Sequence, residues 1–76
     1  MRTIARNATR QIAALKTTLT VCRVYTLENY FAGAEVEPSC AWNALERRGG
    51  KLTDHGDGRY TVQVHSNCWY ELRRAS

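Results

Sequence analysis

A short helix predicted over residues 39–48 carries the side chains with the clearest chemistry. Asn43 and Arg47 stand four positions apart on its predicted outer side. An asparagine amide can bond adenine through two hydrogen bonds, and an arginine guanidinium can bond guanine or a phosphate. Five further bases could hold a phosphate backbone on either side of that helix. These bases are Arg6, Arg10, Arg48, Lys51 and Arg59.

The acidic residues offer a different chemistry, which is contact with a basic protein surface. The net charge of +4 is segregated along the chain. Residues 1–23 carry five bases and no acid, residues 24–46 carry four acids and no base, and residues 47–76 carry six bases and three acids. Because duplex affinity comes largely from neutralised phosphates, the acidic middle segment opposes simple DNA binding. The residues that could face a basic partner are Glu28, Glu35, Glu37, Glu46 and Trp42.

Catalytic and metal chemistry are not indicated. Asp54 and Asp57 lie near His55, but no residue resembles a nucleophile with a base and an orienting group. The three cysteines show no C-x-x-C spacing, which favours reduced thiols in a cytoplasm over a disulfide framework or a zinc site. We therefore expect a cytoplasmic protein that is not an enzyme and has no cofactor or metal.

Composition predicts a single folded domain over residues 1–76. Hydrophobic residues make up 43% of the chain and charged residues 24%, which is typical of globular proteins and argues against disorder. No apolar run approaches the ~20 residues of a membrane span, so no membrane contact is expected. The N-terminus has no acid before Glu28, a composition shared with mitochondrial transit peptides. We expect it instead to supply a helix to the small core.

The elements that would position these residues begin with a helix over residues 3–17. Apolar residues recur in one arc of that helix at ~100° per residue, and three arginines, at positions 2, 6 and 10, fall on the opposite side. The arc contains Ile4, Ala8, Ile12, Leu15 and Leu19. The arginine side is either a solvated face or a basic ridge against phosphate or an acidic partner. Residues 18–25 fit both an extension of the helix and a strand, and their β-branched content favours a strand over residues 19–25.

Two short helices are predicted next. Leu27, Tyr30 and Phe31 form an apolar stripe of a helix over residues 27–33. Ser39 is the predicted N-cap of the helix over residues 39–48, because its hydroxyl can accept a backbone N–H bond. Two glycines at positions 49 and 50 supply the left-handed backbone on which helices commonly end. Residues 34–38 join the two helices as a turn.

Alternating residue types predict a β-hairpin over residues 51–65. Leu52 must share a face with Tyr60 and Val62 if the core is to be continuous, and directly opposed residues share a face. A three-residue loop over residues 56–58 satisfies this condition, because it places Leu52 opposite Val62 and Asp54 opposite Tyr60. Gly58 is then expected in the left-handed region. The pair that closes the loop is His55 and Arg59.

Residues 68–73 alternate again and predict a further strand on the hairpin. Trp69 would lie on the opposite side from Tyr70, either as a core residue or as a surface anchor. We expect core packing, because aromatic residues dominate small cores. The residues expected to share the core are Ile12, Leu15, Leu45, Leu52, Tyr60, Val62 and Val64.

The order helix, turn, helix, hairpin resembles the winged helix-turn-helix family. The segment EVEPSCAWNAL is similar to the turn and third helix of these regulators, and DHGDGRYTVQV is similar to their wing. The resemblance covers about residues 26–64. It implies an α+β domain of three helices followed by an antiparallel β-hairpin or short sheet. It also implies a small transcriptional regulator with its third helix in the major groove of double-stranded DNA and its wing on the backbone.

An alternative function uses the same frame as a scaffold for protein binding. It is an inhibitor encoded by a phage or mobile element, similar to anti-CRISPR proteins, that binds a basic surface of a host nucleic-acid-handling complex. The acidic residues of the predicted helix-turn-helix favour the inhibitor. The order of the motifs and the basic flanks favour the regulator.

Overall fold

The computed structural model describes residues 1–28 and 33–75, and within them the chain forms two helices and six strands. In chain order the elements are β1 (Arg2–Ile4), α1 (Thr9–Thr18), β2 (Val21–Thr26), β3 (Ala34–Val36), α2 (Pro38–Arg47), β4 (Lys51–Asp54), β5 (Tyr60–His65) and β6 (Cys68–Arg73).

The six strands form one sheet in the order β1-β4-β5-β6-β2-β3, in which all neighbours are antiparallel. β1 and β2 therefore run in the same direction, and so do β3 and β4. Strands with the same direction need a crossover connection, which α1 and α2 provide. The buried residues of both helices join one face of the sheet. No helix in the described ranges covers the opposite face, which we call the open face.

The core lies between the two helices and the sheet. Across β1, β4 and β5, the opposed residues Ile4, Leu52 and Val62 point to the helices and are buried. The buried hydrophobic residues are Ile4, Ile12, Leu19, Cys22, Ala41, Trp42, Ala44, Leu45, Leu52, Val62 and Leu72. The predicted core is confirmed, because four of its seven members belong to this cluster and the other three pack against it half-buried.

α2 is defined by local signals at both ends. Pro38 occupies the first helical position, where the N–H that proline lacks would have no intrahelical acceptor. Glu37 is the N-cap and makes no side-chain capping bond, so the prediction of Ser39 as the N-cap is wrong. The helix ends at Arg47, and Gly49 has a φ of +69°, the left-handed conformation expected of glycine after a helix.

Gly50 allows the end of α2 to approach the sheet closely. A Cβ atom at this position would lie 2.7 Å from Val62 Cγ1 and 3.1 Å from the Ala44 carbonyl oxygen. The Gly50 N–H instead donates to that oxygen at 3.0 Å. The reversal from α2 into β4 is therefore tight.

The predicted hairpin register is confirmed. The opposed residues are Leu52 with Val62 and Asp54 with Tyr60. The His55 N–H donates to the Arg59 carbonyl oxygen at 3.1 Å, and these residues close the loop as expected. Gly58 has a φ of +90°, so it takes the positive φ that the loop requires.

The expected architecture of three helices followed by a hairpin is wrong. The class is α+β, but the described chain has two helices and a six-stranded antiparallel sheet. The predicted helix over residues 3–17 is divided: Ile4 lies on β1 opposite Leu52, and α1 begins only at Thr9. Pairing with a strand almost fifty residues away overrides the local helical periodicity. The three N-terminal arginines therefore lie on a strand, a turn and a helix and do not form one ridge.

The remaining segments differ in how well local patterns described them. Residues 21–26 form β2, which pairs with β6 on one side and β3 on the other, so the strand interpretation of this segment was correct. Residues 34–36 were predicted as part of a turn and instead form the edge strand β3. Most of the helix predicted over residues 27–33 lies outside the described residues. Leu27 and Glu28 follow β2 as a bend, and Leu27 is 51% exposed.

Neither described helix has the length and apolar character that crossing a membrane requires.

Candidate nucleic-acid interface

Five basic residues lie in the two stretches of chain where the start of α1 and the end of α2 come together. Arg6 lies in the turn between β1 and α1, and Arg10 lies in the first turn of α1. Arg47 ends α2, Arg48 is its C-cap and Lys51 begins β4. The Arg6 Nη1 atom lies close to Gly49, 4.0 Å from the position that a Cβ atom would occupy at that residue. We call these five residues the basic corner, and all five are exposed.

The cations of the basic corner have no carboxylate within 4.0 Å among residues 1–28 and 33–75. Other bases are paired: Arg2 Nη2 lies 3.9 Å from Asp54 Oδ2, and Lys16 Nζ lies 2.5 Å from Glu46 Oε1. The hydrogen bond and the charge of Lys16 lower the pKa of Glu46. Glu46 is therefore already neutralised by a partner, although it lies beside the basic corner on α2.

The N-terminus of α1 adds a second source of positive potential. Its N-cap residue, Ala8, makes no side-chain capping bond, and its first turn has no acidic residue. The first N–H groups of a helix lack intrahelical acceptors and carry the positive end of the helix dipole. Beside them lies a groove of about 440 Å³ whose lining includes Arg6, Asn7 and the paired side chains of Lys16 and Glu46. The start of α1 therefore favours an anion at the basic corner, next to Arg6.

One aromatic pair among the described residues lies on the open face. Tyr25 on β2 and Trp69 on β6 are opposed in the register, and their rings are stacked with centroids 5.8 Å apart and planes inclined by 8°. A Cβ at Gly33 would lie 2.7 Å from Tyr25 Cζ, so only a glycine backbone can approach this ring so closely. The register continues from Trp69 to Gln63 and then to Lys51. These opposed residues form one row across β2, β6, β5 and β4, which leads from the aromatic pair to Lys51 of the basic corner.

The acidic residues lie toward the opposite edge of the sheet. Glu35 lies on β3, Glu37 precedes α2 and Glu28 follows β2, and all three are exposed. None of them has a basic group within 4.0 Å in the described part of the chain. We call these three residues the acidic edge. The acidic edge and the basic corner are therefore separate, although other acids, such as Glu46, lie beside bases.

The residues predicted for DNA binding lie in two different parts of the structure. Asn43 and Arg47 are exposed on α2, as expected. Within the described ranges, however, α2 is the second of two helices packed on a sheet and not the third helix of a three-helix domain. Arg59 lies in the hairpin loop at the other end of β4, where its Nε is 3.0 Å from Asp57 Oδ2. The remaining predicted bases belong to the basic corner.

The residues predicted for protein binding are divided as well. Trp42 is only 6% exposed in the core, so it is not available as a surface contact. It was expected only at the margin of the outward side of α2, and the apolar stripe of the helix is wide enough to include it. Glu46 is paired with Lys16. The other three acids form the acidic edge.

Cysteine chemistry does not mark a site. All three cysteines are free, with Cys22 buried, Cys68 half-buried and Cys40 exposed. Burial, together with the nearby Cys40, raises the pKa of Cys22 to about 11. No group of three or more His, Cys, Asp or Glu side chains in the described ranges is arranged to hold a metal ion.

The aromatic pair was missed from the sequence. Trp69 was expected to pack in the core, whereas it lies half-buried on the open face. The alternation of residues 68–73 placed it opposite Tyr70 correctly, but nothing local shows which face the helices cover. The pairing of β2 with β6 joins residues more than forty positions apart, and no sequence signal for it was available.

No protein-family model, no curated protein and no solved structure matches this chain.

Proposed function

We propose that this protein binds nucleic acid by holding the phosphate backbone at the basic corner. The observation that carries the proposal is the placement of five exposed cations in two stretches of chain, residues 6–10 and 47–51, where the start of α1 lies near the end of α2. None of them has a carboxylate within 4.0 Å in the part of the chain that the structure describes.

Like charges repel, and a bound polyanion would offset the repulsion among these exposed cations. Four of the five are arginines, whose planar guanidinium groups can bond two phosphate oxygens at once. The N-terminus of α1 lies at the same corner and favours the same anion. A backbone with repeated phosphates can engage several of these groups simultaneously, which a single small anion cannot.

The test is a salt series of binding to labelled duplex and single-stranded oligonucleotides. Arg48→Ala and Lys51→Ala should each weaken binding to every sequence alike. Each should also flatten the slope of log affinity against log salt by about 0.7–0.9, the value for one lost phosphate contact. Arg59→Ala is the matched control, because Arg59 is exposed but paired with Asp57 in the hairpin loop at the far end of β4.

Two results would contradict the proposal. One is a wild-type affinity no tighter than about 10⁻⁴ M at physiological salt, the weak end of non-specific binding. The other is an Arg59 variant that weakens binding as much as the Arg48 and Lys51 variants do. The second result would place the nucleic acid at the hairpin loop.

A second candidate function is favoured by the acidic edge. Glu35 and Glu37 are exposed and have no basic group within 4.0 Å among the described residues. This arrangement supports the inhibitor hypothesis, in which the acidic edge contacts a basic surface of a host complex. The short edge strand β3 offers backbone groups to such a partner, since only its β2 side is paired within the described chain.

A further inference from the structure

The open face has the features of a surface for unpaired bases. Antiparallel sheets often leave one face to solvent, and such a face is then usually polar. Here β1, β4 and β5 present Thr3, Thr53 and Thr61 in one row of the register. Against this polar background, the half-buried pair of Tyr25 and Trp69 is the main apolar feature of the open face.

Trp69 is the ring of the pair that lies toward Gln63 and Lys51 in the register. Tyr25 has the Gly33 backbone close to its ring atoms and Trp69 stacked against it. The next position in the row beyond Trp69 is occupied by Gln63, an exposed side chain whose Nε2 donates to the His65 carbonyl oxygen at 2.6 Å. A planar group can therefore extend the stack on the side of Trp69 that faces Gln63.

The row that contains the aromatic pair is basic, whereas the neighbouring row has mixed charges. The described residues of the row with the aromatic pair are Tyr25, Trp69, Gln63 and Lys51, of which only Lys51 is charged. Two strand spacings separate β4 from β6, so Lys51 begins about 10 Å from Trp69 at the backbone. The neighbouring row contains Glu71 and Glu35, and Arg23 lies between them in the register. Glu71 Oε2 also lies 3.9 Å from Arg59 Nη1.

We infer that the open face binds a single-stranded nucleic acid, with one base stacked on the indole of Trp69 and the backbone running to Lys51 and the basic corner. This inference rests on the proposed function and adds the form of nucleic acid and the place of its bases. Base stacking on an aromatic side chain requires an unpaired base, because the ring faces of a duplex are already occupied by neighbouring pairs. Proteins that bind single strands commonly combine such stacking with a positively charged track.

The experiment uses the full chain with labelled oligothymidylate, oligouridylate and a duplex of the same length. Trp69→Ala should weaken binding to single strands by about 5- to 150-fold, the range for one stacked base. Trp69→Phe should retain most of the affinity, because phenylalanine can still stack. Duplex binding should change little, and the salt slope for single strands should be unchanged because the phosphate contacts remain.

A second measurement does not depend on any change at Trp69. In Trp42→Phe, Trp69 is the only tryptophan, and saturating oligothymidylate should quench its fluorescence. Circular dichroism checks that the three tryptophan variants are folded.

The failures of this inference and of the proposed function can be distinguished. If single strands and duplex bind with a steep salt slope, but Trp69→Ala has no effect and no quenching occurs, stacking is overturned while the basic corner stands. If neither nucleic acid binds at low salt, both are overturned, and the open face becomes a candidate protein surface.

Discussion

The thiol of Cys22 differs from the other two thiols because of where each side chain lies. Cys22 is buried on β2, and burial is the main cause that raises its pKa to about 11, whereas Cys40 is exposed on α2. The thiolate is the form that alkylating reagents attack, so both burial and the raised pKa slow the reaction of Cys22.

We therefore predict that iodoacetamide at neutral pH modifies Cys40 first, Cys68 next and Cys22 only when the protein unfolds. Mass spectrometry of peptides from a time course measures the order. In denaturant the three rates should become similar, which is the control. Rapid labelling of Cys22 in the folded protein would show that β2 does not pack against α2 as described.

The two tryptophans show how an element determines the role of a side chain. Trp42 lies in the core on α2, whereas Trp69 lies half-buried on the open face of β6. The Trp42 Nε1 atom is buried without a hydrogen-bond partner among the described residues, so this residue contributes chiefly through apolar packing.

Trp42→Ala is accordingly predicted to lower the free energy of unfolding by about 3–5 kcal/mol, the usual cost of removing a large aromatic side chain from a core. Trp69→Ala should cost less, because it loses partial burial and a stacked pair worth about 0.5–1.5 kcal/mol. Urea unfolding monitored by circular dichroism measures both. If the two variants lose equal amounts of unfolding free energy, Trp69 is as buried as Trp42, and the open face is covered and not available to a ligand.

At the scale of the molecule, the charges are separated across the sheet. β4 begins at Lys51, and β3 carries Glu35. Four strand spacings separate β4 from β3, so the backbones of these two residues lie about 19 Å apart. This separation is about twice the Debye length of ~10 Å at 0.1 M salt. The acidic edge should therefore influence binding at the basic corner only weakly at this ionic strength.

The double variant Glu35→Lys with Glu37→Lys separates the two candidate functions. It should leave the fold intact, since both residues are exposed, and change nucleic-acid affinity at 0.1 M salt by less than Lys51→Ala does. If a basic protein is the partner, the same variant should abolish that complex. Anisotropy with oligonucleotides and capture of a defined basic partner measure the two outcomes. A large gain in nucleic-acid affinity would instead place the ligand across the acidic edge.

The sequence by itself determined the features that depend on neighbours along the chain. The hairpin register followed from strand alternation, because a shift of one residue would have moved Leu52 to the opposite face from Val62. The existence of α2 followed from its apolar spacing and from the glycine that ends it. The exposure of Asn43 and of the basic residues, and the separation of acids from bases, could also be predicted.

Only the tertiary structure decided which segments pair and which face remains open. Ile4 fits a helical stripe as well as it fits β1, and its partner Leu52 lies far along the chain, so local periodicity could not distinguish the two. The stack of Tyr25 on Trp69 likewise depends on β2 lying beside β6. Pairing between distant strands depends on the combined burial of the whole sheet, and no single segment encodes that sum. The basic corner and the open face are therefore products of the fold, although every residue in them is visible in the sequence.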